Sequence, residues 1–357
     1  MMKKLIIISL TMVLFLASCN NAKDQRNKNS NHTGSVTNLK TSEAYVIAFY
    51  NVENLFDTIN DSKTKDDDFT PEGFKHWNKE RYDKKLNDLS WVLSNLSNEL
   101  PVIIGLSEVE NRQVVEDLAE SGKLKEGKYK VIHEESPDTR GIDVALMYRS
   151  DLFEYISHES IKVVVPSAPE SKLRDILYVK GKFAGSNVFH IYVNHWKSRR
   201  GGREETEFKR IATAKILKEH TNKVFAENKD ANIIIMGDLN DEPENKSVNE
   251  VLFATNNTKS PQSDEFYNLL YNKSINDEGT NSRNYKWFML DNLIVSQSLA
   301  DDTDFYADEN GGQIFKDDKI LYYNAKANFK TPNKTYGGKN YYGGYSDHLA
   351  VYFVLKR

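Results

Sequence analysis

Three apolar runs in this chain stop at the same kind of residue, and that repetition constrains the fold more than any bulk property. Tyr45-Val46-Ile47-Ala48-Phe49-Tyr50 ends at Asn51-Val52-Glu53-Asn54. Val102-Ile103-Ile104-Gly105-Leu106 ends at Ser107-Glu108, and the run 232–236 ends at Gly237-Asp238-Leu239-Asn240. Short runs rich in aromatic and β-branched residues, bounded by turn formers, read as strands. When strand ends share one edge of a rigid sheet, they converge several oxygen ligands on one point. Mg²⁺ is bound by such hard oxygen donors, with one or two carboxylates and with positions left for water and phosphate. Mn²⁺ and Ca²⁺ are the alternatives.

Other elements follow from periodicity. Tyr82, Leu86, Leu89, Leu93 and Leu96 recur at three and four residues, which predicts an amphipathic helix over 78–96. Helical patterns also fit 110–119 and 204–220. Further strands are expected at 143–148, 175–182, 187–193, 291–296 and 349–355. Residues 60–77, with Asp61, Asp66, Asp67, Asp68, Pro71 and Gly73, read as an irregular acidic loop. No repeat or composition break interrupts 44–357, so one α/β domain of packed sheets with outer helices is expected.

The N-terminus is of another kind. Lys3 and Lys4 precede an apolar run from Leu5 to Ala17 that ends in Leu16-Ala17-Ser18-Cys19. A charged start, a short apolar stretch and small residues at the break describe a secretory signal, and the stretch is shorter than the roughly 20 residues that span a bilayer. Cys19 is the single cysteine. Its setting resembles the lipobox of bacterial lipoproteins, which implies removal of 1–18, lipidation of Cys19, and an exported, membrane-anchored protein, periplasmic or at the cell surface. Residues 19–43, rich in Asn, Lys, Ser and Thr, then read as a flexible tether. With no second cysteine, burial and metal alone must stabilise the fold. The chain carries 48 basic against 52 acidic residues, −4 overall. A polyanion partner therefore needs local basic groups or a bound metal.

Six segments carry chemistry: Asn51-Val52-Glu53, Gly105 to Glu110, Val193-Asn194-His195-Trp196-Lys197-Ser198, Gly237 to Asn240, Leu290-Asp291-Asn292, and Ser346-Asp347-His348. Each has a plain structural reading. Asn51 and Asn54 could close a strand, and Glu108 and Glu110 could open a helix. His195 could be a core histidine, Asp238 could form an Asx turn before a helix near Ser247, and Asp347-His348 could cap a last strand. In this order, however, the set resembles the endonuclease/exonuclease/phosphatase superfamily, the deoxyribonuclease I type, across nearly all of 44–357. That resemblance implies a four-layered α/β sandwich, with two packed mixed β-sheets flanked by helices. It implies metal ligation by Asn51 and Glu108, with Glu53 and Asp347 as further carboxylates. Asp238 then orients or deprotonates the attacking water, Asn240 holds a phosphate oxygen, Asp291 pairs with His348, and His195 is a second active-site histidine. Whether Asp238 or His348 takes the proton stays open.

Substrate is a separate matter. The run from Val193 through Lys197, Ser198, Arg199 and Arg200 to Gly202 is similar to that of bacterial extracellular deoxyribonucleases, which implies phosphate contact by Asn194 as well, except that Asn194 directly precedes the histidine. Lys197, Arg199, Arg200 and Arg203 could hold flanking phosphates, or form a solvated loop balanced by Glu204, Glu205 and Glu207. Arg174 falls where deoxyribonucleases place an arginine near the scissile strand, although an ion pair with Asp175 explains it equally. Tyr336, Tyr341, Tyr342 and Tyr345 alternate with glycines, either as a stacking loop or as ordinary packing. The expectation is a monomeric, metal-dependent DNA endonuclease. A lipid or inositol-phosphate phosphodiesterase on the same scaffold is the alternative. A non-catalytic binding lipoprotein would lack a ligand or a histidine, and none of the expected positions is vacant.

Overall fold

The computed structural model describes residues 44–357 apart from 184, 185, 187, 260, 263 and 301–303. The expected signal, tether and Cys19 lie outside the described residues. Among those described, no helix is long and apolar enough to cross a membrane.

Two mixed sheets form the framework. The first contains β1 (Ala44–Leu55), β2 (Ile103–Val109), β3 (Tyr129–His133) and β4 (Asp143–Arg149). Its order is Tyr306–Ala307, Val351–Lys356, β1, β2, β4, β3. The second contains β5 (Phe153–Ile161), β6 (Ile176–Phe183), β7 (Phe189–His195), β8 (Asn232–Asp238), β9 (Ala254–Thr255) and β10 (Phe266–Asn268). It runs β5, β6, β7, β8, Asp291–Ser296, β10, β9. Each sheet has one central parallel pair, β1 with β2 and β7 with β8, flanked by antiparallel strands.

Strand alternation sorts side chains into layers. Ile47, Phe49, Ile103 and Leu146 face Ile191, Val193, Ile234, Met236 and Leu293 in the core between the sheets. A Cβ on Gly105 would sit 2.5 Å from Met236 Sδ, so glycine here lets the Met236 side chain of the facing sheet pack close. The alternate residues Ala48, Tyr50, Ile104 and Leu106 pack outward on Leu86, Leu89 and Leu93 of α1 (Lys79–Ser94) and on Val114 and Leu118 of α2 (Arg112–Ala119). On the far face, Tyr192, Ile233 and Ile235 meet Ala214, Leu217 and Val224 of α3 (Arg203–Glu227). This is the four-layered α/β sandwich. Asn78 and Asn111 accept from the N–H groups of Arg81 and Val114, which fixes the starts of α1 and α2.

The departures from expectation are at edges. Both β3 and β5 border their sheets and were not foreseen, because edge strands carry exposed polar residues that blur alternation; β5 reads Phe-Glu-Tyr-Ile-Ser-His-Glu-Ser-Ile. Helix α3 runs on to Glu227, because Thr221 and Val224 continue its buried face. The topology has one consequence for function. The carboxyl ends of both parallel pairs, and the amino ends of the antiparallel strands beside them, lie along one edge of the sandwich.

Candidate active site

At that edge two strands break register. The β1–β2 pairing shifts between Asn51 and Leu55, and the β2–β4 pairing shifts between Ser107 and Val109. Glu53, Asn54 and Glu108 take left-handed backbone, with φ of 50°, 56° and 64°. Bulges of this kind re-aim a side chain, and non-glycine residues held in this region cluster at working sites. Asn51 Oδ1 accepts from the Glu53 N–H at 3.0 Å, while Asn51 Nδ2 donates to Asp238 Oδ2 at 3.0 Å. The Asn54 N–H donates to Glu108 Oε2 at 3.0 Å.

The second sheet supplies the facing wall. Asp238 and Asp291 are register partners on adjacent strands. The Asn240 N–H donates to Asp238 Oδ1 at 2.9 Å, an Asx turn made by the site's own carboxylate. Asp291 Oδ2 lies 2.7 Å from His348 Nδ1. Ser346 fixes the turn that carries His348: its Oγ donates to Asn51 O at 2.7 Å and accepts from the His348 N–H at 3.1 Å. His348 Nε2 then stands 3.8 Å from Asp238 Oδ2. His195 Nε2 is 3.6 Å from the same oxygen and 3.8 Å from Glu108 Oε1. These separations exceed hydrogen-bond length.

The two histidines sit in opposite fields. Burial by itself lowers the His348 pKa, but Asp291, Asp238 and Asp347 outweigh it and hold the imidazolium well above its ordinary range. Burial lowers His195 far below its ordinary value, and Arg174, Arg140, His348 and Lys197 add to that, so it is neutral. Asp238 is pushed up to about 7, chiefly by burial and then by Asp291, against the pull of His348 and the Asn240 N–H. Burial likewise raises Asp347 and Glu53.

Glu108, Asp238, Asp347, His195 and His348 open into a cleft of about 640 Å³. Four carboxylates, those of Glu108, Asp238, Asp291 and Asp347, crowd this floor. Burial raises Asp238 and Asp347, and each is raised further by a neighbouring carboxylate, a condition that a hard divalent cation relieves. Asp238, Asp291 and His348 place one potential ligand atom each within 4.8 Å of one another. The amide oxygen of Asn51 and the carboxylates of Glu108 and Asp347 are further oxygen donors of the kind Mg²⁺ takes.

Four expected residues do other work. Glu53 turns away: its oxygens accept from the Thr335 and Tyr336 N–H groups at 2.6 and 3.3 Å, and it lines a neighbouring cavity of about 200 Å³. Asn194 is fully buried, donating to Met236 O and accepting from Trp196 Nε1, so it ties β7 to β8 and reaches no phosphate. Arg174 is buried too, and donates to His195 O, Trp196 O and Asp138 at 2.9, 2.7 and 2.5 Å. It is a brace, paired with Asp138 in place of Asp175. Lys197 is half-buried and is not among the residues that line the cleft.

Arg199 and Arg200 do line the cleft, with Arg199 held by Asn240 O, Asp241, Glu242 and Asn245. Asn240 Nδ2 is itself held by Trp196 O at 3.2 Å. Tyr336 packs on Phe69 and Trp77, and Tyr345 is buried, so most of the tyrosine loop is ordinary packing. The sequence reading passed over Arg140, Asn281, Arg283, Asn284 and Phe288 on the cleft wall. It also passed over Lys85, a fully buried lysine that donates to Thr335 Oγ1 and Tyr345 O at 2.6 Å. A signal for Lys85 existed: it lies three residues after Tyr82 and four before Leu89, on the apolar stripe of α1.

The profile of the Endonuclease/Exonuclease/phosphatase family matches residues 46–357. Among solved structures, D. rerio TDP2 complexed with single strand DNA product is 15% identical, with a TM-score of 0.53 over 88% of this chain and 100% of that one. The human Nocturnin catalytic domain with bound sulfate anion is 16% identical, with a TM-score of 0.53 over 89% and 96%. An endonuclease/exonuclease/phosphatase family protein from Bacteroides thetaiotaomicron is 16% identical, with a TM-score of 0.50 over 87% and 97%. At these identities the likeness is one of fold. No curated protein sequence matches the chain.

Proposed function

The chain belongs to the endonuclease/exonuclease/phosphatase family, and from that premise we propose that it is an exported, lipid-anchored, divalent-metal-dependent phosphodiesterase that hydrolyses DNA. The observation that carries the reading is the buried Asp291–His348 pair facing Asp238 beneath a wall of arginines.

The roles follow from protonation. Asp238, ionised above about 7, accepts the proton of the attacking water. His348, kept cationic by Asp291, holds a non-bridging phosphate oxygen and neutralises charge as the phosphorus centre becomes five-coordinate. Neutral His195 offers a second contact beside the same Asp238 oxygen. Asn51, Glu108 and Asp347 would hold Mg²⁺, which supplies Lewis-acid polarisation and offsets charge on the leaving oxygen.

DNA is favoured over a lipid by the cleft wall. Arg140, Arg199, Arg200, Arg203 and Arg283 surround it, a lining suited to several phosphates in a row. Exposed Tyr285 beside Arg283 offers a face for a base. The DNA product in the D. rerio TDP2 complex agrees with a nucleic-acid substrate. Supercoiled plasmid incubated with the protein in chelator and then in Mg²⁺, Mn²⁺ or Ca²⁺ tests the reading. Nicking that requires the ion and disappears in Asp238→Asn and His348→Ala supports it. Intact plasmid alongside turnover of sphingomyelin or phosphoinositides would move the substrate to lipid headgroups.

A further inference from the structure

The same sheet edge carries a second polar cluster beyond the cleft, at the root of the loop 134–142. Strand β3 ends at His133 and β4 begins at Asp143, and both side chains are almost fully enclosed, at 3% and 1% exposure. Asp143 Oδ1 accepts from the Ser136 N–H at 3.0 Å and from the Ser136 hydroxyl. Among the described residues its other oxygen has no hydrogen-bond partner, and neither does His133 Nε2, although the two atoms are 3.5 Å apart. An unsatisfied buried polar atom costs about 1–3 kcal/mol, so a native pair left in this state calls for a ligand. Glu135 approaches the other ring nitrogen, with Oε1 4.0 Å from His133 Nδ1. One ligand atom from each of the three residues falls within 4.8 Å of the others.

The spacing identifies the ligand. A separation of 3.5 Å is too long for a hydrogen bond. It is close to the roughly 3.3 Å between neighbouring donors on a tetrahedral ion with bonds near 2.0–2.1 Å. One imidazole with two carboxylates suits Zn²⁺ or Mn²⁺ better than Mg²⁺ or Ca²⁺, which take oxygen alone.

We propose that His133, Glu135 and Asp143 form a second divalent-metal site, of transition-metal type and separate from the cleft. Its position gives it a structural purpose. The loop it clamps carries Arg140, which lines the cleft. It also carries Asp138, whose carboxylate holds Arg174 and through it the backbone of His195 and Trp196. A cation at the root of the loop ties the basic wall to the catalytic floor.

The test is calorimetric titration of the chelator-stripped whole chain with Zn²⁺ alone, in a Glu108→Gln/Asp238→Asn/His348→Ala background that removes the His–carboxylate set of the cleft as well. One equivalent of Zn²⁺ is expected to bind and to raise the melting temperature. Adding Glu135→Gln should weaken that binding about tenfold or more, and Asp143→Asn should abolish it. Glu135 is 68% exposed, so its variant keeps the fold should the Asp143 variant lose it. No Zn²⁺ bound by that background protein would overturn the site and leave His133 and Asp143 as a bare buried contact. Zn²⁺ binding that Glu135→Gln leaves unchanged would overturn it as well. Neither result depends on turnover, so failure here is distinguishable from failure of the phosphodiesterase reading.

Discussion

The floor and the wall of the cleft are built on different principles. Floor residues stand at strand ends: Asn51 and Glu108 at bulges, Asp238 and Asp291 in register across two strands. Each is held by hydrogen bonds that leave it one orientation. Wall residues stand on loops and a hairpin. Arg200 lies in the turn before α3, and Arg283 on the hairpin that pairs Asn281–Arg283 with Lys286–Phe288. Both are exposed, with no carboxylate partner among the described residues. The floor is buried, acidic and over-determined, whereas the wall is basic and loosely held. Chemistry is therefore assigned to the part the scaffold fixes, and substrate choice to the part that can vary without disturbing it.

The largest test of that division is the floor itself. His348→Ala and Asp238→Asn should each lower kcat by about 10³-fold with little change in KM. A loss that appeared mainly in KM would break the division. The rate should also rise as pH climbs through about 7, where Asp238 ionises.

Arg174 tests whether a basic residue belongs to the floor. Arg174→Ala should cost about 3 kcal/mol of stability, because Asp138 loses its buried partner. The salt dependence of DNA binding should not move. A changed salt slope would return Arg174 to the wall.

The floor should also be shown to carry strain in the absence of an ion. Asp238 binds its proton more tightly folded than unfolded, since its pKa is raised. The folded state therefore loses stability as pH rises from the ordinary aspartate range to about 7, then levels off. In chelator, Asp238→Asn should melt above the parent at pH values beyond that range, with the gap closing under acid conditions. A variant that melted lower throughout would mean that the carboxylate is structural.

The wall should respond least and differently. Arg200→Ala and Arg283→Ala should each raise KM severalfold, leave kcat near the parent value, and reduce the salt slope of binding by about one. A fall in kcat would place either side chain in contact with the reacting phosphate.

These expectations differ in how far the sequence alone could supply them. Asn51 and Asp238 were legible because each is a turn former at the end of an apolar run. The structure shows the turn and the site using one side chain, as in the Asn240 N–H bond to Asp238 Oδ1. Asp291 and His348 were legible only as members of an ordered set, since 57 positions separate them along the chain. For Asn194 and Arg174 it is the resemblance to deoxyribonucleases that points to phosphate, and for Arg174 the alternative of an ion pair is the one found, with Asp138 as its partner. Local sequence does not say that Met236 O, Trp196 Nε1 and Asp138 lie within reach.

The chain's own pattern of apolar runs ending in Asn, Glu and Asp determined the strands, their polar ends and the chemistry those ends can do. Tertiary structure decided which ends meet. It set the direction of the parallel pairs, turned Glu108 into the cleft at a bulge while drawing Glu53 to Thr335, and left Arg200 and Arg283 without a carboxylate partner among the described residues. The physical reason is that secondary structure and turn chemistry are set by neighbours in sequence. Burial, charge pairing and the resulting protonation states depend on groups that only packing of the two sheets brings within a few ångströms.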